Sequence, residues 1–162
     1  MNAPRLCIKT AVFVVLVPGS VMTLIPYFLG AYSGGARWSV LGALGIAAIA
    51  SGALASLRCA YDFVAAGKGT PAPTAAPVYL VTNSLYRWIR NPMYVGVLLV
   101  LLGEAALFRS AVLLIYCAAL AVGFHLFVIL YEEPHLGRIF GQSYREYRAR
   151  VPRWLPRRIP RR

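Results

Sequence analysis

The residues best suited to chemistry flank one apolar hairpin. Glu132 and Glu133 close the apolar run Ser110–Tyr131, which contains no Asp, Glu, Lys or Arg and a single histidine, His125. Arg90-Asn91-Pro92-Met93-Tyr94-Val95-Gly96 opens the preceding run, which reaches Phe108. Adjacent carboxylates at the end of an apolar run are costly in lipid and mark a candidate site. With the turn centred on Arg109, equal steps outward bring Met93 level with His125, Arg90 with Val128 and Tyr86 with Glu132. His125 and Glu132 are two helical turns apart and share a face. Arg90, Tyr86, Tyr94, His125, Glu132 and Glu133 therefore converge at one end of the hairpin. An Arg–Glu pair closing the hairpin, with His125 as a packing residue, accounts for the same spacing. Glu104 sits five residues before the turn and is expected to snorkel or to hydrogen-bond a neighbouring helix, away from this set. No metal-ligand spacing and no hydrolase triad are visible.

Four apolar runs position these groups. The chain has 162 residues, 59% of them hydrophobic, and a mean hydropathy of +0.64. A membrane-spanning helix needs roughly 20 apolar residues. The reading is an all-α, polytopic membrane protein with one domain. Helices are expected at about 8–32, 38–66, 91–108 and 110–133, with a loop at 67–84 and an amphipathic tail at 134–162. The first run exceeds a signal-peptide core and lacks a clear cleavage site, so an uncleaved helix is expected. The loop contains Gly67-Lys68-Gly69-Thr70-Pro71 and cannot continue a helix. Pro92 suits the first turn of the third helix. In the second run, Ala48, Gly52 and Ser56 at spacing four predict close helix approach. The tail places Leu136, Ile139, Phe140, Tyr144, Tyr147 and Val151 on one face, which predicts interfacial helices with Trp154 as an anchor.

The formal net charge of +12 would suit nucleic acid, but its distribution does not. Two basic residues, Arg5 and Lys9, lie at or before the start of the first run, four lie from Arg58 to Arg90, and nine follow the fourth run. Only Arg37 and Arg109 occupy the other two loops. This asymmetry places both termini and the middle loop in the cytoplasm and the tail against anionic lipid. Localisation in the cell (inner) membrane is expected. Cys7, Cys59 and Cys117 fit neither a disulfide framework nor a zinc site and are read as packing residues.

The order and spacing of several short pieces resemble the integral-membrane isoprenylcysteine carboxyl methyltransferase and phospholipid methyltransferase group. Leu80-Val81-Thr82, Tyr86 and the Arg90–Gly96 stretch are followed by Glu132-Glu133, Phe140-Gly141, Tyr144, Tyr147, Arg150-Val151-Pro152 and Leu155-Pro156. The similarity covers Gly67 to Pro156. It implies S-adenosylmethionine as cofactor and a lipophilic acceptor in the bilayer, either an isoprenylcysteine carboxylate or a lipid amine. It further implies a cofactor site formed by Val78, Tyr79, Leu80, Val81, Tyr86, Asn91, Pro92, Met93 and Tyr94, with Glu132 opposite. Arg90 suits the cofactor's carboxylate. Two positions depart from the eukaryotic pattern. Asn91 replaces a common histidine, so it orients rather than titrates. Val128 stands where those enzymes place an arginine for the substrate carboxylate. No catalytic base is assigned; Glu133 and His125 are the weak candidates.

Two alternatives stay open at this point. One is a non-enzymatic four-helix transporter or assembly protein. The other is a sterol-reductase-like enzyme using a nicotinamide cofactor.

Overall fold

The computed structural model describes residue 12, residues 16–65 and residues 79–156. Val78, most of the expected 67–84 loop and the last six residues lie outside this set. Helix α1 runs Leu16–Phe28 and contains a π-helical turn at Ser20–Leu24. Helix α2 is Val40–Ala65, α3 is Pro92–Phe108 and α4 is Ala111–Phe127. A second π-helical turn, Val128–Glu132, joins α4 to α5, Glu133–Arg150. A 3-10 turn at Ser84–Arg87 precedes α3. No strand occurs among the described residues.

Two helices are long and apolar enough to cross a membrane: α2, and the continuous helical run from Ala111 to Arg150. Their most apolar windows are only 22% and 17% buried within the protein. A soluble core helix would be covered. Here Leu44, Leu54 and Leu57 of α2, and Leu114, Ile115 and Leu130 of the α4 run, face outward. An apolar exterior of this kind has lipid as its solvent, and the protein is an integral membrane protein. The 17 residues of α3 rise about 25 Å, short of the roughly 30 Å hydrocarbon core.

The closest packing joins α2 to α3 and depends on glycine. A Cβ on Gly45 would lie 2.6 Å from the Gly103 carbonyl oxygen, and one on Gly52 would lie 2.5 Å from that of Gly96. The converse contacts are as tight, at 2.5 Å from Gly103 to Gly45 and 2.8 Å from Gly96 to Gly52. The two helices thus run antiparallel with Gly45 opposite Gly103 and Gly52 opposite Gly96. The expected spacing-four stripe is only half the story. The seam uses spacing seven on both helices, and its second half lies on α3. Ser56 fits into it because its hydroxyl donates back to the Gly52 carbonyl at 2.9 Å.

Arg109 takes a left-handed conformation (φ 49°) after α3, and Ser110 caps α4 by accepting from the Leu113 amide at 3.4 Å. Val97, Leu101, Leu113 and Cys117 close the core between the hairpin arms, with Ala31 beyond α1. Gly141 breaks α5 with φ 53° and ψ −121°, a conformation that side-chain-bearing residues rarely adopt. The break turns the chain back on itself. Tyr144, Tyr147 and Val151 are buried against Leu80, Leu136 and Phe140. The tail's apolar face is therefore largely covered by protein, whereas Ile139 stays exposed.

Gly52→Ala or Gly103→Ala is expected to lower stability by about 1–3 kcal/mol, because each forces backbone apart. Gly123→Ala has nothing within 4 Å of the new methyl group and is expected to be neutral or mildly stabilising. Thermal unfolding in detergent checks both.

Candidate functional site

The site forms where the chain enters α3. Asn91 occupies the N-cap position, and Pro92 fills the first helical position, where its missing N–H is no loss. The Tyr86–Arg90 segment before it is strapped down by the chain after Gly141. The Tyr147 hydroxyl donates to the Tyr86 carbonyl at 2.7 Å. The Arg90 amide donates to the Pro152 carbonyl at 2.9 Å, and the Asn91 side-chain amide to the Arg153 carbonyl at 3.2 Å.

The two adjacent glutamates have different surroundings. The π-helical turn Val128–Glu132 includes the first of them; it inserts an extra residue into the helical ladder and re-aims the side chains at its end. Glu133 is 7% exposed and bound by Arg90 at 2.9 Å and by Arg153 at 2.6 and 3.1 Å, with Arg148 at 3.8 Å. Burial alone would raise its pKa. The Arg153 hydrogen bonds and the charges of Arg90, Arg153 and Arg148 outweigh burial and hold the carboxyl below its ordinary value. The same bond raises the Arg153 pKa. Glu132 has no basic partner among the described residues. It accepts one hydrogen bond, from the Tyr94 hydroxyl at 2.9 Å.

Glu132 and Tyr94 border a cavity of about 410 Å³. Tyr86, Arg90, Asn91 and Met93 also line it, so six of the residues expected in the cofactor site meet there. Val17, Pro18 and Val21 of α1, Phe63 of α2, Val97 of α3 and Phe124 and Phe127 of α4 supply apolar walls. The Arg90 side chain is 9% exposed, and its buried Nε–H has no hydrogen-bond partner. The cavity therefore offers a carboxylate without a cation and borders a guanidinium with an unused donor.

Other expected site residues lie elsewhere. Val81 is buried against Cys59 and Tyr86, behind the cavity. Leu80 packs on Tyr144 and Tyr147, Tyr79 is exposed, and buried Pro92 starts α3 without lining the cavity. Neither weak candidate for a base reaches it. Glu133 is occupied by arginines, and His125 accepts from the Trp154 indole N–H at 3.1 Å on the exposed side of α4. Trp154 thus packs on His125 and Tyr94. Among the described residues, no group of three or more His, Cys, Asp or Glu could hold a metal.

Arg153 was not among the expected residues, although it makes two of the bonds to Glu133. Nothing in its local sequence separates it from the other tail arginines except Pro152 and Trp154 on either side. Asp62 was also missed. It is buried in α2 beside Arg58 at 3.3 Å, four residues earlier, a spacing that helical periodicity makes visible.

With this geometry in place, comparison with known proteins gives the class. The family model described as phospholipid methyltransferase matches residues 40–143, and the chain belongs to that family. It is also similar to individual proteins. It is 35% identical over 77 residues to the protein-S-isoprenylcysteine O-methyltransferase of Schizosaccharomyces pombe, a match covering 48% of this chain and 33% of that protein. Protein-S-isoprenylcysteine O-methyltransferase B of Arabidopsis thaliana matches at the same identity and length, over 39% of its own chain. The Xenopus laevis protein-S-isoprenylcysteine O-methyltransferase does so over 27% of its chain. The chain thus spans about a third of the length of the curated relatives it matches.

Glu133→Gln is expected to lower the thermal midpoint at neutral pH and to flatten its acid dependence. A depressed carboxylate pKa contributes stability above the unfolded value of about 4.3 and loses it as pH falls through the folded value. Unfolding of wild type and variant between neutral and acid pH checks the sign. A variant as acid-sensitive as wild type would remove Glu133 as the responsible group.

Proposed function

We propose that the protein is an S-adenosylmethionine-dependent methyltransferase acting on a lipophilic acceptor embedded in the bilayer. One observation carries this reading. The cavity pairs an uncompensated carboxylate, Glu132, with an unused guanidinium donor, Arg90, between aromatic and aliphatic walls. S-adenosylmethionine presents the complement: an ammonium, a carboxylate, an aromatic base and a sulfonium. When bound, it supplies an electrophilic methyl group.

The chain's own residues have distinct tasks. Glu132 receives the cofactor's ammonium, and the Tyr94 hydroxyl fixes the orientation of that carboxylate. Arg90, held by Glu133 and by the Pro152 carbonyl, turns its free donor to the cofactor's carboxylate. Tyr94, Phe63, Phe124 and Phe127 give faces for adenine and for the positive sulfur. Val17, Val21 and Val97 exclude water and open the way for an acceptor from the lipid side. Rate then comes from alignment of acceptor and methyl in a dry cavity. Val78 to Val81, Asn91, Pro92 and Met93 complete the proposed cofactor site. Tyr79, Leu80, Val81 and Pro92, which do not border the cavity, act as its supporting wall.

The acceptor is an isoprenylcysteine carboxylate or a lipid amine. Val128, 1% exposed and one turn before Glu132, provides no cation for an acceptor carboxylate, so a lipid amine fits at least as well. The proposed topology is four crossings with both termini cytoplasmic, in the inner membrane, as a single domain. It predicts that a cysteine at Ser110 labels with an impermeant maleimide from outside intact cells. One at Arg145 would label only after lysis. The reverse pattern would invert the orientation.

Calorimetry with S-adenosylhomocysteine tests the cofactor site. Binding is expected in wild type and at least about tenfold weaker in Glu132→Ala, equivalent to about 1.4 kcal/mol. Undiminished binding in the variant would defeat the assignment. Transfer of labelled methyl groups into membrane lipid extracts, or into a prenylated cysteine peptide, then separates the two acceptor classes.

A further inference from the structure

A second cavity holds an acidic group that the proposed reaction does not use. Glu104 is 8% exposed on α3 and lies about 7.5 Å along the helix from the Arg109 turn, at the end opposite Arg90. It borders a cavity of about 390 Å³ with Thr23, Leu24 and Tyr27 of α1, and with Tyr32 and Phe108. The chain has 17 Lys and Arg against 5 Asp and Glu. Asp62, Glu133 and Glu146 each pair with arginine. Glu104 and Glu132 are the two acidic residues with no basic partner among the described residues.

Their surroundings are alike. Each accepts from a tyrosine hydroxyl, at 3.0 Å from Tyr32 and 2.9 Å from Tyr94, and each borders an aromatic-walled cavity. The Tyr32 hydroxyl has one hydrogen and two acceptors in reach, Glu104 and the Met22 carbonyl at 3.2 Å. The Glu104 carboxylate is therefore short of both donors and charge. Burying such a group without compensation is costly. An ammonium supplies both missing elements, and the rings of Tyr27, Tyr32 and Phe108 offer it π faces.

We propose that this cavity binds the ammonium of an organic amine, through Glu104 and its aromatic surround. The chemistry is that of an amine-bearing lipid headgroup or of a small free amine. Its position near a helix end, open to the surface, suits either source.

Infrared difference spectroscopy on the full chain in phosphatidylglycerol nanodiscs tests this. Adding ethanolamine, whose ammonium carries both charge and N–H donors, is expected to produce a saturable change in a carboxyl band. Glu104→Gln, which keeps an acceptor for Tyr32, is expected to abolish it. Tyr27→Leu is expected to raise the half-saturating concentration about two- to fivefold. In a second arm the nanodiscs contain phosphatidylethanolamine. If the headgroup is the occupant, the band is already in its bound form and added amine changes it little. If the free amine is the occupant, the two arms respond alike. No saturable change in either arm, or an unchanged response in Glu104→Gln, would overturn the proposal. Unaltered S-adenosylhomocysteine binding by Glu104→Gln separates this outcome from failure at the other cavity.

Discussion

Glu133 sits where the long helix leaves its apolar stretch, and three separate pieces of chain meet on its two oxygens. Arg90 comes from the segment entering α3, Arg153 from the turn beyond α5, and Arg148 from α5 itself. A buried carboxylate cannot remain charged without such partners, and the arginines have few other anions to meet. The ion cluster therefore fixes where the chain after Gly141 must lie. Once Arg153 is bound, Pro152 accepts from the Arg90 amide and Asn91 binds the Arg153 carbonyl. The entry to α3 and the C-terminal strap become one structure, and the candidate site is its inner surface.

The second constraint is lipid. With bilayer outside, burial of apolar surface does little to hold helices together, so contact distance matters more. The α2–α3 seam meets that need by removing side chains at Gly45, Gly52, Gly96 and Gly103. The two backbones approach until carbonyls fill the space a methyl group would take. This leaves α4 and α1 to enclose a cavity against α3. The larger side chains on these elements, Phe124, Phe127 and Val21, face that space. A rigid two-helix support on one side and a looser wall on the other suits the proposed entry of an acceptor from the membrane.

Much of this was legible in the residues, for physical reasons. The apolar runs define an all-helical membrane protein because the bilayer allows little else. The equal-step hairpin register brought Tyr86 level with Glu132 and Arg90 level with Val128, one turn before it, and Tyr86, Arg90 and Glu132 do share a cavity. Longer-range features were not legible. The seam partner Gly96 sits inside the Arg90–Gly96 stretch and reads as part of the site, while Gly103 reads as an ordinary helix residue. Arg153 looks like any basic tail residue until Gly141 reverses the chain. The interfacial pattern of Tyr144, Tyr147 and Val151 was real as a periodicity, but periodicity does not say whether lipid or protein covers the face. The α1 contribution to the cavity could not be read either, since Val17 and Val21 have no feature beyond being apolar.

The division of labour between Glu132 and Glu133 follows from backbone geometry more than from residue type. Both are glutamates, one residue apart, at the same depth. In a regular α-helix adjacent side chains point about 100° apart, and both would be drawn to the same arginines. The π-helical turn at Val128–Glu132 ends on the first of the pair and alters their aim. Glu133 takes the cations. Glu132 is left with the Tyr94 hydroxyl and an open cavity, and it can serve a ligand because its neighbour has satisfied the protein's own positive charge. Val128, one turn before Glu132 and 1% exposed, adds no cation of its own, so the arginines that neutralise Glu133 leave the charge of its neighbour unmatched among the described residues.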